Sequence, residues 1–138
     1  MEKNMRLLII DDDPDDRMLF IEAVKEVDEN FECMTAKDGQ VALELLMNPV
    51  ESFPDLIFLD ISMPRMSGKK CLSEIKKDER LKDIPVIIYT TSKNVEESKE
   101  LKQMGALHFI SKPSNADEIY YLISFALEEQ LNASARNK

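Results

Sequence analysis

The stretch Leu56-Ile57-Phe58-Leu59-Asp60 is an unbroken apolar run that ends in a carboxylate, and Ile61-Ser62-Met63-Pro64 follows it directly. Three other apolar runs also end in polar side chains: Leu7 to Ile10 leads into Asp11-Asp12-Asp13, Val86 to Tyr89 into Thr90, and Leu107 to Ile110 into Ser111-Lys112-Pro113. Runs of this kind are typical of buried parallel strands, and the reactive crevice of an open α/β sheet lies outside the carboxyl ends of its strands. We therefore expect the acids, the hydroxyl group and the lysine to share one edge of a sheet.

Helix patterns separate these strands, so strand and helix alternate five times along the chain. The helices are predicted to begin near Pro14, Gly39, Gly68, Asn94 and Asn115, and the last is predicted to end near Leu131. Polar residues interleave the second strand, 31–36, which favours the edge of the sheet. Strands that alternate with helices have right-handed crossovers, which gives a doubly wound α/β fold with five parallel strands.

The composition sets the broad class of the protein. The 138 residues suit one domain with one core, and 43% hydrophobic with 33% charged residues is ordinary for a globular protein. No apolar stretch approaches the ~20 residues that span a bilayer, and residues 1–6 lack the apolar segment of a secretory signal. We expect a cytoplasmic protein without membrane insertion, with a domain at 1–131 and a flexible tail at 132–138.

Charge and cysteine content exclude further classes of protein. The net charge of -9 argues against direct DNA binding, because nucleic-acid surfaces need clustered Lys and Arg. Cys33 and Cys71 are too few for a disulfide framework and lack CxxC spacing, so we interpret them as buried or half-buried thiols.

The acids at the strand ends indicate a cation site. Carboxylates of Asp11, Asp12 and Asp60 held ~4 Å apart would repel by roughly 4 kcal/mol per pair at an effective dielectric near 20. Mg2+ fits such a site, because it binds through a few carboxylates while keeping waters and a phosphate oxygen. Thr90 and Lys112, at neighbouring strand ends, would then hold the other oxygens of a phosphoryl group. The sequence therefore predicts a site that accepts phosphate on Asp60.

In these features the chain resembles, over nearly its whole length, the receiver domains of two-component response regulators. Receivers share five features in this order: Asp11-Asp12, Asp60, Met63-Pro64 with Gly68 beyond, Thr90, and Lys112-Pro113. The resemblance implies a flavodoxin-like (β/α)5 fold with strand order 2-1-3-4-5. The short chain is similar to chemotaxis-type regulators that consist of a single domain. The stretch 48–54 resembles single-domain regulators that serve phytochrome-type or hybrid kinases.

The resemblance also implies roles for the acidic residues. Asp60 would attack a phosphohistidine on a sensor histidine kinase or a histidine phosphotransfer protein and become an acyl phosphate. Mg2+ would be bound by Asp12, Asp60 and the backbone carbonyl of Ser62, while Asp11 would act through a metal-bound water. The chain would catalyse only its own phosphorylation and dephosphorylation, so we do not expect an enzyme that acts on other substrates.

Further implied roles concern the switch and the lifetime of the phosphoryl group. Thr90 and Lys112 would bind phosphoryl oxygens, and the Lys112–Pro113 peptide bond is expected to be cis. Thr90 would move inward while Phe109 rotates into the vacated space; a tyrosine is common there, so only a packing version of this switch is expected. Ser62 stands where an Asn or an acid often positions the hydrolytic water, so we predict a long-lived phosphoryl group.

The last predicted helix carries a candidate partner surface. Five apolar residues at helical spacing form its predicted buried stripe: Ile119, Leu122, Ile123, Ala126 and Leu127. Tyr121 and Phe125 lie on the opposite side of the helix. Exposed aromatics indicate a contact, although cover by a neighbouring loop explains them equally well. The resemblance implies a downstream protein or a second copy of the chain as partner. Met18 is a candidate for docking a kinase, whereas core packing is favoured for Leu19.

Other functions and simpler explanations fit some of these features. A degenerate receiver would act as an unphosphorylated binding module, and a haloacid-dehalogenase-type phosphatase would need a second Asp where Ser62 stands. An FMN-binding flavodoxin is disfavoured because the acids after the first strand would repel a phosphate. Asp15 and Asp16 are interpreted as a solvated helix start, which the helix dipole favours, and His108 as an ordinary residue of an edge strand.

Overall fold

The computed structural model describes residues 5–48, 53–62 and 67–136. Over these residues, five strands alternate with five helices. The strands are β1 (Arg6–Ile10), β2 (Glu32–Ala36), β3 (Leu56–Leu59), β4 (Val86–Thr90) and β5 (His108–Ser111). The helices are α1 (Pro14–Val27), α2 (Gly39–Met47), α3 (Gly68–Lys77), α4 (Val95–Gln103) and α5 (Ala116–Arg136).

All five strands belong to one parallel sheet with the order β2-β1-β3-β4-β5. The predicted doubly wound α/β fold and its strand order are therefore confirmed. β2 lies at the edge of the sheet and is only partly buried, as its interleaved polar residues indicated. The central strands β1, β3 and β4 are almost completely buried, which explains why their sequences read as continuous apolar runs.

The core consists of two apolar layers, one on each face of the sheet. Side chains of α2, α3 and α4 pack on one face, against Leu8 and Ile57 among others. Helices α1 and α5 cover the other face, where the rings of Phe20, Phe58 and Tyr89 meet edge to face. Because successive strand residues point to opposite faces, each apolar run supplies both layers.

Side-chain caps fix where the helices begin. Asp13 accepts hydrogen bonds from the N–H groups of Asp15 and Asp16, and Asp38 accepts one from Val41. Ser67 and Asn94 cap α3 and α4 in the same way. These caps satisfy N–H groups that the helix itself leaves unpaired, so the predicted helix starts agree with the structure.

The end of α5 differs from the prediction. The sequence indicates an end near Leu131, but the helix continues to Arg136, so the first five residues of the predicted tail at 132–138 are helical. Adding residues to an existing helix requires no new nucleus, and Ala and Arg are good helix formers. The predicted boundary between domain and tail, at 131, therefore lies inside a helix.

Some predicted features fall outside the described residues, namely Met63-Pro64 and the positions 49–52 of the stretch that resembles phytochrome-type regulators.

Neither cysteine forms a disulfide; Cys71 is buried and Cys33 half-buried, as predicted. Burial raises the pKa of both thiols to about 12. None of the helices in the described ranges has the length and apolar character needed to cross a bilayer.

Candidate functional site

Asp11 and Asp60 lie side by side at the carboxyl edge of the sheet. Each directly follows one of two paired strands, β1 and β3, in which Ile10 is aligned with Leu59. The Asp60 N–H donates to the Ile10 carbonyl at 2.9 Å, and the Asp11 N–H donates to the Ala36 carbonyl at 3.0 Å. Both residues are nearly inaccessible, with exposures of 1% for Asp11 and 4% for Asp60. The sheet register therefore brings two buried carboxylates together.

Asp12 completes an acidic group with these two residues. One carboxylate oxygen from each of Asp11, Asp12 and Asp60 lies within 4.8 Å of the others, and Asp12 is exposed. Three oxygen donors in one pocket fit a hard divalent cation, and the exposed member leaves a side open for waters and a further oxygen ligand.

Lys112 brings a positive charge into this group. Its Nζ lies 2.6 Å from Asp11 Oδ2, 2.9 Å from Asp16 Oδ2 and 3.4 Å from Asp60 Oδ2, and its side chain is only 8% exposed. Nζ also lies 5.8 Å from the centre of the Tyr89 ring. The ammonium thus partly neutralises three carboxylates that would otherwise repel one another.

The pKa shifts reflect both burial and this pairing. Burial raises the pKa of Asp11, and the hydrogen bond from Lys112 opposes this shift without cancelling it. For Lys112, burial favours a lower pKa, but the hydrogen bonds to Asp11 and Asp16 outweigh it and raise the pKa. Lys112 therefore remains an ammonium group at neutral pH, close to the Asp60 carboxylate.

Backbone contacts hold the loops that carry the site. The Ser62 N–H donates to Asp60 Oδ1 at 3.1 Å, and the Asp13 N–H donates to Asp11 Oδ1 at 3.0 Å. Thr90 is completely buried at the end of β4, where its carbonyl accepts the Lys112 N–H at 2.7 Å. The hydroxyl and the lysine are thus carried by adjacent strands, as the positions of these residues in the sequence predict.

The contact of Asp16 with Lys112 is not predicted from the sequence. The sequence favours a solvated helix start for this residue, but its carboxylate binds Lys112 and its side chain is only 34% exposed. The cap at Asp13 and Pro14 at the first helical position fix the turn in which Asp16 lies. That short link between the strand end and the helix was the available signal for its placement.

The Lys112–Pro113 peptide bond is trans, which corrects the expected cis form. The trans isomer is intrinsically favoured by roughly 0.5–1 kcal/mol before proline. From this isomer Lys112 Nζ already reaches three carboxylates, so the lysine needs no cis bond to enter the acidic group.

The predictions for residues away from the acidic group agree with the structure in part. Tyr121 and Phe125 are 70% and 67% exposed, as predicted, and Met18 is 59% exposed. Leu19 does not pack in the core as expected; it is 38% exposed and lines a cavity of about 180 Å³ beside Lys112. Helix α1 turns this residue toward the β5–α5 loop instead of the sheet. Phe109 is half-buried and packs against the layer formed with α2, α3 and α4.

Comparison with known sequences agrees with this architecture. Residues 7–124 match the family model of the response regulator receiver domain. Regulatory protein AtoC of Escherichia coli K12 is 34% identical over 125 residues, which are 91% of this chain and 26% of AtoC. This chain therefore spans about a quarter of that relative. Response regulator Rcp1 of Synechocystis sp. is 29% identical over 130 residues, which cover 88% of each protein.

Solved structures give the same result over the full fold. The phosphorylated cyanobacterial phytochrome response regulator RcpA superposes with a TM-score of 0.88 at 28% identity, covering 95% of this chain and 96% of RcpA. The Mn(2+)-bound form of Rcp1 superposes with a TM-score of 0.78 at 27% identity, covering 87% and 89%. With the family match extending over most of its length, the chain belongs to the response regulator receiver domains of two-component systems.

Proposed function

We propose that this chain is the phosphoacceptor of a two-component phosphorelay and that Asp60 receives the phosphoryl group. The donor would be the phosphohistidine of a sensor histidine kinase or of a histidine phosphotransfer protein. The observation that carries the proposal is the buried Asp60 carboxylate, which belongs to the acidic group and lies 3.4 Å from Lys112 Nζ. A nucleophile, a cation-binding pocket and a fixed ammonium thus occur together.

The transfer forms one bond and breaks one. An Asp60 carboxylate oxygen attacks phosphorus, the P–N bond of the donor breaks, and the imidazole leaves with the electron pair. Lys112 and the Thr90 hydroxyl bind equatorial phosphoryl oxygens, where negative charge must be compensated. The Ser62 N–H, which donates to Asp60 Oδ1, keeps the other carboxylate oxygen in place.

The acidic group fits Mg2+. Asp12, Asp60 and the backbone carbonyl of Ser62 are the proposed ligands, with Asp11 beside them. When bound, the cation neutralises the carboxylates and the incoming phosphoryl oxygens. The acid group within 4.8 Å supports this assignment, as does the Mn(2+)-bound form of the relative Rcp1.

Output is proposed to follow from a switch between Thr90 and Phe109. The phosphoryl group draws the Thr90 hydroxyl inward, and the Phe109 ring rotates into the vacated space. Phe109 is half-buried at the edge strand β5, so its ring has a solvent side and a packed side between which to exchange. The phosphoryl contacts must favour the active state by a few kcal/mol for the populations to invert.

The proposed contact surfaces lie on two helices. Tyr121 and Phe125 on α5 would contact a downstream protein or a second copy of the chain, and Met18 on α1 would contact the kinase. Their exposures of 70%, 67% and 59% support these roles, because large apolar side chains are available at the surface. Signalling would thus proceed through protein contacts and not through DNA, in keeping with the net charge of -9.

Acetyl phosphate, a small phosphodonor, tests the proposal without a kinase. We expect the wild type to gain one phosphoryl group, measured by intact mass, only when Mg2+ is present, and Asp60→Asn to gain none. The matched control is Asp15→Asn, which removes one exposed acid of α1 and should be labelled normally. Labelling that persists in Asp60→Asn, or that needs no metal, would reject the assigned roles. A wild type that stays unlabelled would favour the alternative of an unphosphorylated binding module.

A further inference from the structure

We propose that Asp16 is a positioning residue for Lys112: it keeps the lysine ammonium beside the acidic group when a divalent cation occupies that group. The inference rests on the proposed function, because it concerns the lysine that would bind the phosphoryl group. It assigns a task to a carboxylate that the phosphoacceptor chemistry itself does not use.

The geometry separates Asp16 from the other two acids around Lys112. Asp11 and Asp60, at 2.6 Å and 3.4 Å from Nζ, belong to the acidic group and are almost completely buried. Asp16, at 2.9 Å, lies outside that group, and its side chain is 34% exposed. Of the three carboxylates around the ammonium, Asp16 is thus the one that a cation in the acidic group does not engage.

A divalent cation in the acidic group would compete with the ammonium for the Asp11 and Asp60 carboxylates. With Asp11 and Asp60 engaged by a cation, the contacts of Lys112 to these two of its three partners would weaken, and the new positive charge would repel the ammonium. Asp16 then supplies the remaining counter-charge. A charged lysine can therefore stay in the pocket beside the metal, where the phosphoryl oxygens arrive.

The first turn of α1 holds Asp16 in place before any ligand binds. The Asp13 carboxylate accepts the N–H of Asp15 at 2.9 Å and the N–H of Asp16 at 3.3 Å. Arg17 Nη1 donates to the Asp11 carbonyl at 2.6 Å, which ties this turn to the end of β1. The backbone of Asp16 is therefore held close to the strand ends that carry the site.

The first test follows labelling by acetyl phosphate as Mg2+ is varied. We expect Asp16→Asn to lower the labelling rate roughly 5- to 10-fold, the size expected when a charge-assisted hydrogen bond becomes a neutral one. Asp16→Glu, which restores the charge, should recover part of the rate. Asp15→Asn removes a charge from the same turn at an exposed position and should label at the wild-type rate. Equal rates for Asp16→Asn and Asp15→Asn would overturn the proposal.

A double-mutant cycle separates positioning from a merely structural role. If Asp16 acts through Lys112, Asp16→Asn should cause no further loss of labelling in a Lys112→Ala background. An equal fractional loss in both backgrounds would mean that Asp16 acts through helix α1, and the proposal would fail.

A second readout needs no phosphorylation. In the presence of Mg2+, NMR of the lysine side-chain ammonium groups should show a Lys112 signal protected from solvent exchange in the wild type and in Asp15→Asn. The signal should be lost in Asp16→Asn, and Lys112→Arg assigns it. Protection that persists in Asp16→Asn would overturn the inference. Failure of the wild type to be labelled, by contrast, would reject the phosphoacceptor function and leave this measurement to decide the role of Asp16.

Discussion

Two residues that follow the third strand, Asp60 and Ser62, lie at the centre of the proposed chemistry and differ in surroundings. The Asp60 carboxylate is buried, whereas Ser62 is exposed and contacts Asp60 through its backbone N–H. The Ser62 side chain is short and carries no amide or carboxylate with which to orient a water toward the phosphorus. Hydrolysis of the proposed acyl phosphate would therefore proceed without an amide or a carboxylate at this position to orient the water.

We expect Ser62→Asn to shorten the lifetime of the phosphoryl group on Asp60, because the amide can hold a water in line with the bond to be broken. Positioning of this kind should accelerate decay by roughly 3- to 10-fold. The lifetime is measured by removing acetyl phosphate and following the intact mass over time. A lifetime identical to that of the wild type would contradict this role of position 62.

For individual residues, the sequence predicts which side chains lie at strand ends. It does not predict which side chains of a helix contact them. Asp11, Asp60 and Thr90 could be predicted, because an apolar run shows where a strand ends and the sheet aligns those ends. The pairing of Asp16 with Lys112 is missed, because Asp16 does not follow a strand directly and its only signal is the short link from β1 to α1.

Among the elements, α3 begins in close contact with the residues that follow β3. A Cβ atom on Gly68 would lie 2.4 Å from Ile61 Cα and 2.8 Å from the Asp60 carbonyl oxygen. The helix therefore begins in direct contact with the loop that carries the nucleophile, and only a residue without a side chain fits there.

Gly68→Ala should destabilise the fold by roughly 1–3 kcal/mol. The added methyl group would collide with backbone atoms of Asp60 and Ile61, which cannot move aside as a flexible side chain could. Urea denaturation measures the change in the free energy of unfolding. Lys70→Ala, at an exposed position of the same helix, is the control and should stay within about 0.5 kcal/mol of wild type. Equal free energies of unfolding for the two variants would show that the loop after β3 can accommodate the methyl group.

Element boundaries were predictable where a cap or an apolar stripe marks them. Pro14, Gly39 and Asn94 mark such starts in the sequence, and helices α1, α2 and α4 begin at or next to them. The end of α5 carries no comparable signal, because residues 132–136 have no apolar stripe. The helix nevertheless continues to Arg136.

At the scale of the whole molecule, three aromatic side chains lie in the interior and two lie exposed on α5. Phe20 contacts Phe58 at 4.7 Å and Tyr89 at 5.6 Å between ring centres, in the layer beneath α1 and α5. Phe125 and Tyr121 lie on the outer side of α5, largely exposed. The first set stabilises the fold, and the second is available to a partner.

Phe20→Ala should therefore lower the free energy of unfolding by about 3–5 kcal/mol, as expected for loss of a buried aromatic ring. Phe125→Ala should change it by less than about 0.5 kcal/mol. Both variants are compared with wild type by urea denaturation, with equal m-values as the check that unfolding stays two-state. A loss at Phe125 comparable to that at Phe20 would contradict the assignment of this ring as a surface residue.

The contact between Asp11 and Lys112 joins residues that are 101 positions apart. A polypeptide still emerging from the ribosome, or one clipped by a protease ahead of β5, carries the nucleophile but lacks the ammonium. Under the proposed chemistry such fragments would not signal. Signalling would therefore require the full-length chain.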